Sequence, residues 1–218
     1  MIKGVFALYA QRPAFFLELL GQHLYITLIC ITITAALGLL LGFVMTRHSL
    51  LATLILRITS FLYTIPSIAI FGILVSISGI GLTSAVIAIV LYGLLPMVRS
   101  TYTGLIEVDD DVIEAAVGMG TDRRQLLFWV RLPLALPVIF NGFRTMAVMT
   151  IALGGIASFI GAGGLGRAIW RGISTNYAEM TIAGSLLIAA IAIIGDLILE
   201  IIEKRVRMRY LGEEAESA

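Results

Sequence analysis

From Leu24 to Met45 the chain carries no charged residue, and from Ile58 to Val98 it carries none again. A helix needs about 20 apolar residues to cross a bilayer, so the first run is one span and the second is twice too long for one. The stretch Ser78-Gly79-Ile80-Gly81-Leu82-Thr83-Ser84 holds the turn formers and divides the second run, which predicts spans near 58–77 and 84–103. Two later runs predict spans at about 136–160 and 180–202. Only helices and closed barrels satisfy their backbone in lipid, and runs of this length exclude barrel strands of about 10 residues. The predicted fold class is therefore an all-α integral membrane domain with five transmembrane helices. Composition points the same way. Charged residues are 13% of the chain, against about 25% in soluble domains. The 59% that are hydrophobic exceed what a soluble fold of 218 residues could hide.

This divides the chain into a segment 1–23 outside the membrane, a membrane domain 24–203 with a polar loop at 104–135, and a polar tail 204–218. The tail residues after Arg209, LGEEAESA, read as disordered. With five spans the 15 Lys and Arg residues fall eleven to one side and four to the other. The rule that cytoplasmic loops are rich in Lys and Arg then predicts the orientation of a multi-pass membrane protein. Its N-terminus lies outside, and the polar loop and C-terminus lie in the cytoplasm. No cleavable signal peptide of ordinary design is expected. A net charge of +1, scattered between apolar runs, gives no basic face for nucleic acid. Cys30 lies in an apolar run and reads as a packing residue. His23 and His48 are too far apart to suggest a metal site, so no metal is expected.

The polar loop holds the string EAAVGMGTDRRQLLFWVRLP at 114–133. Asp111 followed by Glu114 fits a capping box, Gly118 and Gly120 punctuate the first helix, and Thr121 is placed to cap a second. Pro133 and Pro137 are expected to break the chain and start the fourth span. The small residues Ala115, Ala116, Gly118 and Gly120 would let another protein approach the backbone closely. Glu114, Arg123 and Arg124 could supply charge-assisted contacts around them.

In this loop the sequence resembles the EAA signature of permease subunits of ABC-type importers. Glu114, Ala115, Ala116 and Gly120 match its core, and Leu132 and Pro133 its end. The strings YTIPSIAIFG, LYGLLPMVRSTYTGL and FIGAGGLGRAIWRGI are similar to those of the osmoprotectant group, which carries glycine betaine, choline or carnitine. The resemblance implies the fold of a type I importer permease and coupling helices that dock into an ATPase subunit. It also implies an extracytoplasmic substrate-binding protein, a second permease subunit of the same or a related chain, and alternating access. The chain has no G-x-x-x-x-G-K-[ST] loop, so it is expected to be a transport subunit and not an enzyme. ATP and Mg would be bound by the partner. Alternatives are a permease for methionine or another amino-acid derivative, or a passive channel.

Other residues carry candidate roles. Pro66 kinks the second span and would leave a carbonyl and the hydroxyls of Tyr63, Thr64 and Ser67 facing either a solute path or a neighbouring helix. Asn141, Thr145, Met149 and Thr150 fall along one side of the fourth span, which fits either a path or interhelical hydrogen bonding. Gly161, Gly163, Gly164 and Gly166 predict a tight turn or re-entrant piece on the outer face. Arg167, Trp170 and Arg171 behind it could anchor the turn among lipid headgroups or touch the delivery protein. The literal G-x-G-x-x-G of 161–166 lacks the strand, helix and acidic residue of a dinucleotide site. Arg144 and Asp196 are charges inside spans at similar inner depth, and a pair between them is expected.

Overall fold

A computed structural model of the protein describes residues 2–211. Among them every regular element is helical: α1 (Ile2–Gln11), α2 (Pro13–Met45), α3 (Ser49–Thr64), α4 (Ser67–Ser78), α5 (Leu82–Ile106), α6 (Asp110–Gly118), α7 (Arg123–Gln125), α8 (Leu132–Ala157), α9 (Gly166–Ser174) and α10 (Ala178–Leu211). A π-helical turn, Leu126–Arg131, joins α7 to α8 without a break, and a short 3-10 turn, Ser158–Ile160, follows α8. Four of these helical stretches are long and apolar enough to cross a membrane: Pro13–Met45, Leu82–Ile106, Arg123–Ile160 and Ala178–Met208. The expected span at 58–77 is instead a bent pair. α3 and α4 meet at 100°, so a fifth span exists only if the pair is counted as one.

The bend is at Ile65 and Pro66. Pro66 has no N–H to continue the ladder, and the residue before a proline is pushed to an extended conformation. Ile65 adopts it, at φ −72° and ψ 131°. The Tyr92 hydroxyl of α5 donates to the Ile65 carbonyl, which the break leaves open.

α5 is the central helix and packs against α2, α3, α4 and α8. Without a hydrophobic drive between helices in lipid, close approach depends on small residues at the seams. Gly38 and Gly42, one turn apart on α2, seat Met97 and Thr101 of α5. A Cβ on either glycine would lie 2.4 Å from its partner side chain. On the opposite seam a Cβ on Gly142 of α8 would lie 2.3 Å from Ser100 of α5.

The chain departs from the sequence expectation at both ends. Residues 2–11 and 13–23 are helical, and the latter already belong to the first long helix: α2 starts at Pro13, a residue suited to a first helical turn. Val5, Leu8, Phe16 and Leu19 pack with Leu165, Ala168, Met180 and Ala183, and Tyr9 Oη donates to Ala183 O at 2.7 Å. Arg12, Glu18 and His23 hide this apolar stripe from a search for uncharged runs. At the other end α10 runs unbroken through Lys204 to Leu211, so the polar residues 204–211 continue the last helix. The rest of the expected disordered tail, 212–218, lies outside the described residues.

Candidate functional site

Two short helices, α6 and α7, hang below the α5–α8 pair, as the pattern of the polar loop predicts, but other residues cap them. Asp109, not Asp111, opens α6: its Oδ1 accepts from the Asp111 N–H at 2.8 Å. Asp122, not Thr121, opens α7. Its Oδ1 accepts from the N–H groups of Arg124 (2.7 Å) and Gln125 (2.8 Å), while Gln125 Oε1 accepts from the Asp122 N–H (2.9 Å). Thr121 closes the end of α6 instead, donating to Ala116 O at 2.7 Å. Gly120 lies between them at φ +87°, in the left-handed region that favours glycine. Pro133 and Pro137 do not break the chain. Arg123 to Ile160 is one continuous helical rod. The π turn just before Pro133 sets Leu132 N–H against Leu127 O, five residues back. The wider register absorbs the donor that proline lacks.

Glu114, Ala115, Gly118, Gly120, Arg123 and Arg124 are all exposed on this loop, while Ala116 is buried beneath them and Leu132 and Pro133 lie half-buried where the rod enters α8. The structure adds residues that the sequence reading missed. Val117, Met119, Phe128 and Trp129 are exposed too, Met119 by 80% and Trp129 by 74%. Val117 and Met119 belong to the end of α6, and Phe128 and Trp129 to the π turn that leads into α8. The adjacent aromatics Phe128-Trp129 after a basic pair were the available signal.

Higher on the rod a groove of about 520 Å³ opens between α3, α8 and α10. Tyr63, Asn141, Thr145 and Met149 line it together with Arg144 and Asp196. Four residues expected beside them do not. Thr64 Oγ1 turns back to Phe61 O at 2.7 Å, Pro66 sits at the bend and Ser67 opens α4. Thr150 is buried, with Oγ1 3.7 Å from Met146 Sδ. Arg144 donates from Nε to Asp196 Oδ1 at 2.5 Å and from Nη2 to Oδ2 at 2.9 Å, a bidentate fork. It also reaches Glu200 Oε2 at 3.1 Å and Glu203 Oε2 at 3.2 Å. Asp196, Glu200 and Glu203 fall at i, i+4 and i+7, so helical spacing alone puts all three on one face. One guanidinium thus ties α8 to α10 through three carboxylates.

At the far end of the rod, Gly161, Gly163 and Gly164 have φ of +83°, +90° and +87°, and turn the chain tightly into α9. The Gly164 N–H donates to Gln22 Oε1 at 3.1 Å, and Ser158 Oγ donates to Gly163 O. A Cβ on Gly166 would lie 1.9 Å from Gly155 O, so only glycine lets α9 sit on α8.

The family described as "Binding-protein-dependent transport system inner membrane component" matches residues 35–208. The chain belongs to that family. Among curated relatives, the osmoprotectant import permease protein OsmW of Salmonella typhimurium is 42% identical over 194 residues, 87% of this chain and 90% of that protein. The glycine betaine/carnitine/choline transport system permease protein OpuCD of Bacillus subtilis is 34% identical, covering 90% of this chain and 86% of its own. The ergothioneine transport permease/ergothioneine binding protein EgtU of Helicobacter pylori is 45% identical over 159 residues, 73% of this chain; the match spans only 29% of that longer protein. In three dimensions this inner membrane component is similar to a chain of the MetNI methionine ABC transporter in an inward-facing conformation. The TM-score is 0.75 at 20% identity, over 89% of this chain and 98% of that one. That likeness establishes the type I ABC importer permease fold and nothing about the solute.

Proposed function

We propose that this chain is the membrane-spanning permease of an ATP-driven importer for small osmoprotectants such as glycine betaine, choline or carnitine, working by alternating access. The observation that carries the reading is the 42% identity to OsmW over nearly the whole of both chains. The likeness to EgtU favours one extension within the same chemistry, since ergothioneine also bears a trimethylammonium group beside a carboxylate.

In this reading α6, α7 and the π turn form the coupling element. Glu114, Ala115, Ala116, Gly118, Gly120, Arg123 and Arg124, with Leu132 and Pro133 behind them, meet an ABC ATPase subunit that binds ATP and Mg. The exposed Met119 and Trp129 supply the apolar centre that a docking patch needs. Movement there passes along the rod Arg123–Ile160 to the groove of Tyr63, Asn141, Thr145 and Met149. That groove opens on the face where a second permease subunit completes the path. Arg144 with Asp196 keeps α8 and α10 moving together. A substrate-binding protein delivers the solute on the side of the glycine turn, which is outside, as is the N-terminus. The chain lies in the inner membrane with its C-terminal end in the cytoplasm.

Reconstitution with the ATPase and the binding protein tests this. Labelled glycine betaine, choline, carnitine or ergothioneine should accumulate only with ATP, and methionine should not. Accumulation at the full rate without the ATPase, or of methionine alone, would overturn the proposal.

A further inference from the structure

Beside the glycine turn is a second cavity, of about 710 Å³, between the start of α2, the 3-10 turn after α8 and the exposed side of α9. Its volume lies within the range of roughly 300–1,000 Å³ usual for small-ligand sites. Three aromatic rings that are far apart in sequence line it: Phe15, Phe159 and Trp170. Phe159 and Trp170 are 5.2 Å apart, centre to centre, and inclined at 45°. Two guanidiniums, Arg167 and Arg171, share the wall, and no carboxylate does. Neither arginine forms an ion pair among the described residues. Arg171 lies 6.0 Å from the centre of the Phe15 ring. The one acidic side chain of α2, Glu18, accepts from Gln22 Nε2 at 3.0 Å.

A trimethylammonium group cannot donate a hydrogen bond, so the contact a protein can offer it is an aromatic face. A carboxylate is best met by a guanidinium fork. A wall that offers both, with positive charge left over, fits a ligand that has both groups. It disfavours a bare cation, which would gain the rings but meet two arginines. We infer that this cavity is a low-affinity receiving subsite for carboxylate-bearing betaines, with Trp170 and Phe159 facing the trimethylammonium group and Arg167 and Arg171 the carboxylate. The inference rests on the importer reading and narrows it: the chain receives zwitterionic betaines in preference to choline.

Tryptophan emission of the purified protein tests this, with the subunits that co-purify and without the solute-binding protein. The difference between the unaltered chain and Trp170→Phe isolates the Trp170 signal. Glycine betaine, choline and acetate are titrated to about 100 mM at constant ionic strength. Glycine betaine should give a saturable change, with choline and acetate each about tenfold weaker, the loss expected for one charge-assisted contact. Arg171→Gln and Arg167→Gln should reduce betaine to the level of choline. Arg171→Lys, which keeps the charge without the fork, should fall between and guards against misfolding of the glutamine variants. The inference is overturned if betaine produces no change, or if choline or acetate matches it. It is also overturned if the arginine variants respond as the unaltered chain does, which would leave Arg167 and Arg171 as membrane-interface anchors. ATP-driven uptake by the unaltered chain separates the two levels. Uptake with no Trp170 response sinks only the subsite, whereas a response with no uptake sinks only the importer reading.

Discussion

Arg144 holds three carboxylates that would otherwise face one another along one side of α10. Removing a hub differs from removing a spoke. Asp196→Asn still leaves Arg144 with Glu200 and Glu203, but Arg144→Gln takes from Asp196, Glu200 and Glu203 the guanidinium they share, with Lys204 still 2.8 Å from Glu200. Arg144→Gln should therefore lower the midpoint of thermal unfolding in detergent by several degrees, and by more than Asp196→Asn does. An equal drop for both would mean that the Asp196 contact alone matters. The two loop glycines invite a similar contrast. Gly120 has φ +87°, so a side chain there strains the backbone as well as filling space. At Gly118 a Cβ would meet no atom within 4 Å, and the backbone carries no such strain. Gly118→Leu should leave unfolding unchanged and cut ATP-driven uptake by at least about tenfold, as a bulky residue in a docking patch does. Retained uptake would remove Gly118 from the coupling element.

The α3–α4 bend is an element-scale device with its own test. Tyr92 is buried, and its hydroxyl is the donor that satisfies the carbonyl left open at Ile65. Tyr92→Phe removes that donor and keeps the ring, so stability should fall by about 1–3 kcal/mol, the cost of a buried acceptor left unpaired. Denaturant or thermal titration of the purified protein measures it, and an unchanged midpoint would mean that the bend needs no help from α5. This element also marks how far the sequence could be read. Pro66 gave away a kink, because its chemistry is local. The 100° angle and the donor from Tyr92, 27 residues on, depend on where α5 packs, and no local pattern holds that. The capping errors have the same origin on a smaller scale. Asp109 and Asp122 outcompeted Asp111 and Thr121 because their backbones were extended at the turn, which the residue types alone do not fix. The two short loop helices, the glycine turn and the α8 side of the groove were legible because each rests on spacing along one helix or one turn. The aromatic cavity was not, since Phe15 and Phe159 come to one cavity only through tertiary packing.

On the scale of the whole molecule, the rod Arg123–Ile160 puts the polar loop at one end and the glycine turn at the other. If the rod crosses the membrane once, those ends must lie on opposite sides, and the proposed orientation, which rests on the eleven-to-four split of Lys and Arg expected for five spans, would put the loop inside. Cysteine labelling can decide this with little background, because Cys30 is free but fully buried and the natural chain serves as its own blank. Met119→Cys puts a thiol on a side chain that is 80% exposed on the loop, and Ser174→Cys puts one at the exposed end of α9. A membrane-impermeant maleimide added to intact cells should label Ser174→Cys and spare Met119→Cys. In inverted vesicles the pattern should reverse. The loop site carries a second reading in the same experiment. If the patch around Met119 docks on an ATPase, labelling of Met119→Cys in inverted vesicles should rise when that subunit is absent, while Ser174→Cys stays indifferent to it. Labelling of both sites from one side would rule out a single crossing by the rod. Labelling of Met119→Cys from outside the cell would turn the whole assignment over, since the loop could then reach no cytoplasmic ATPase.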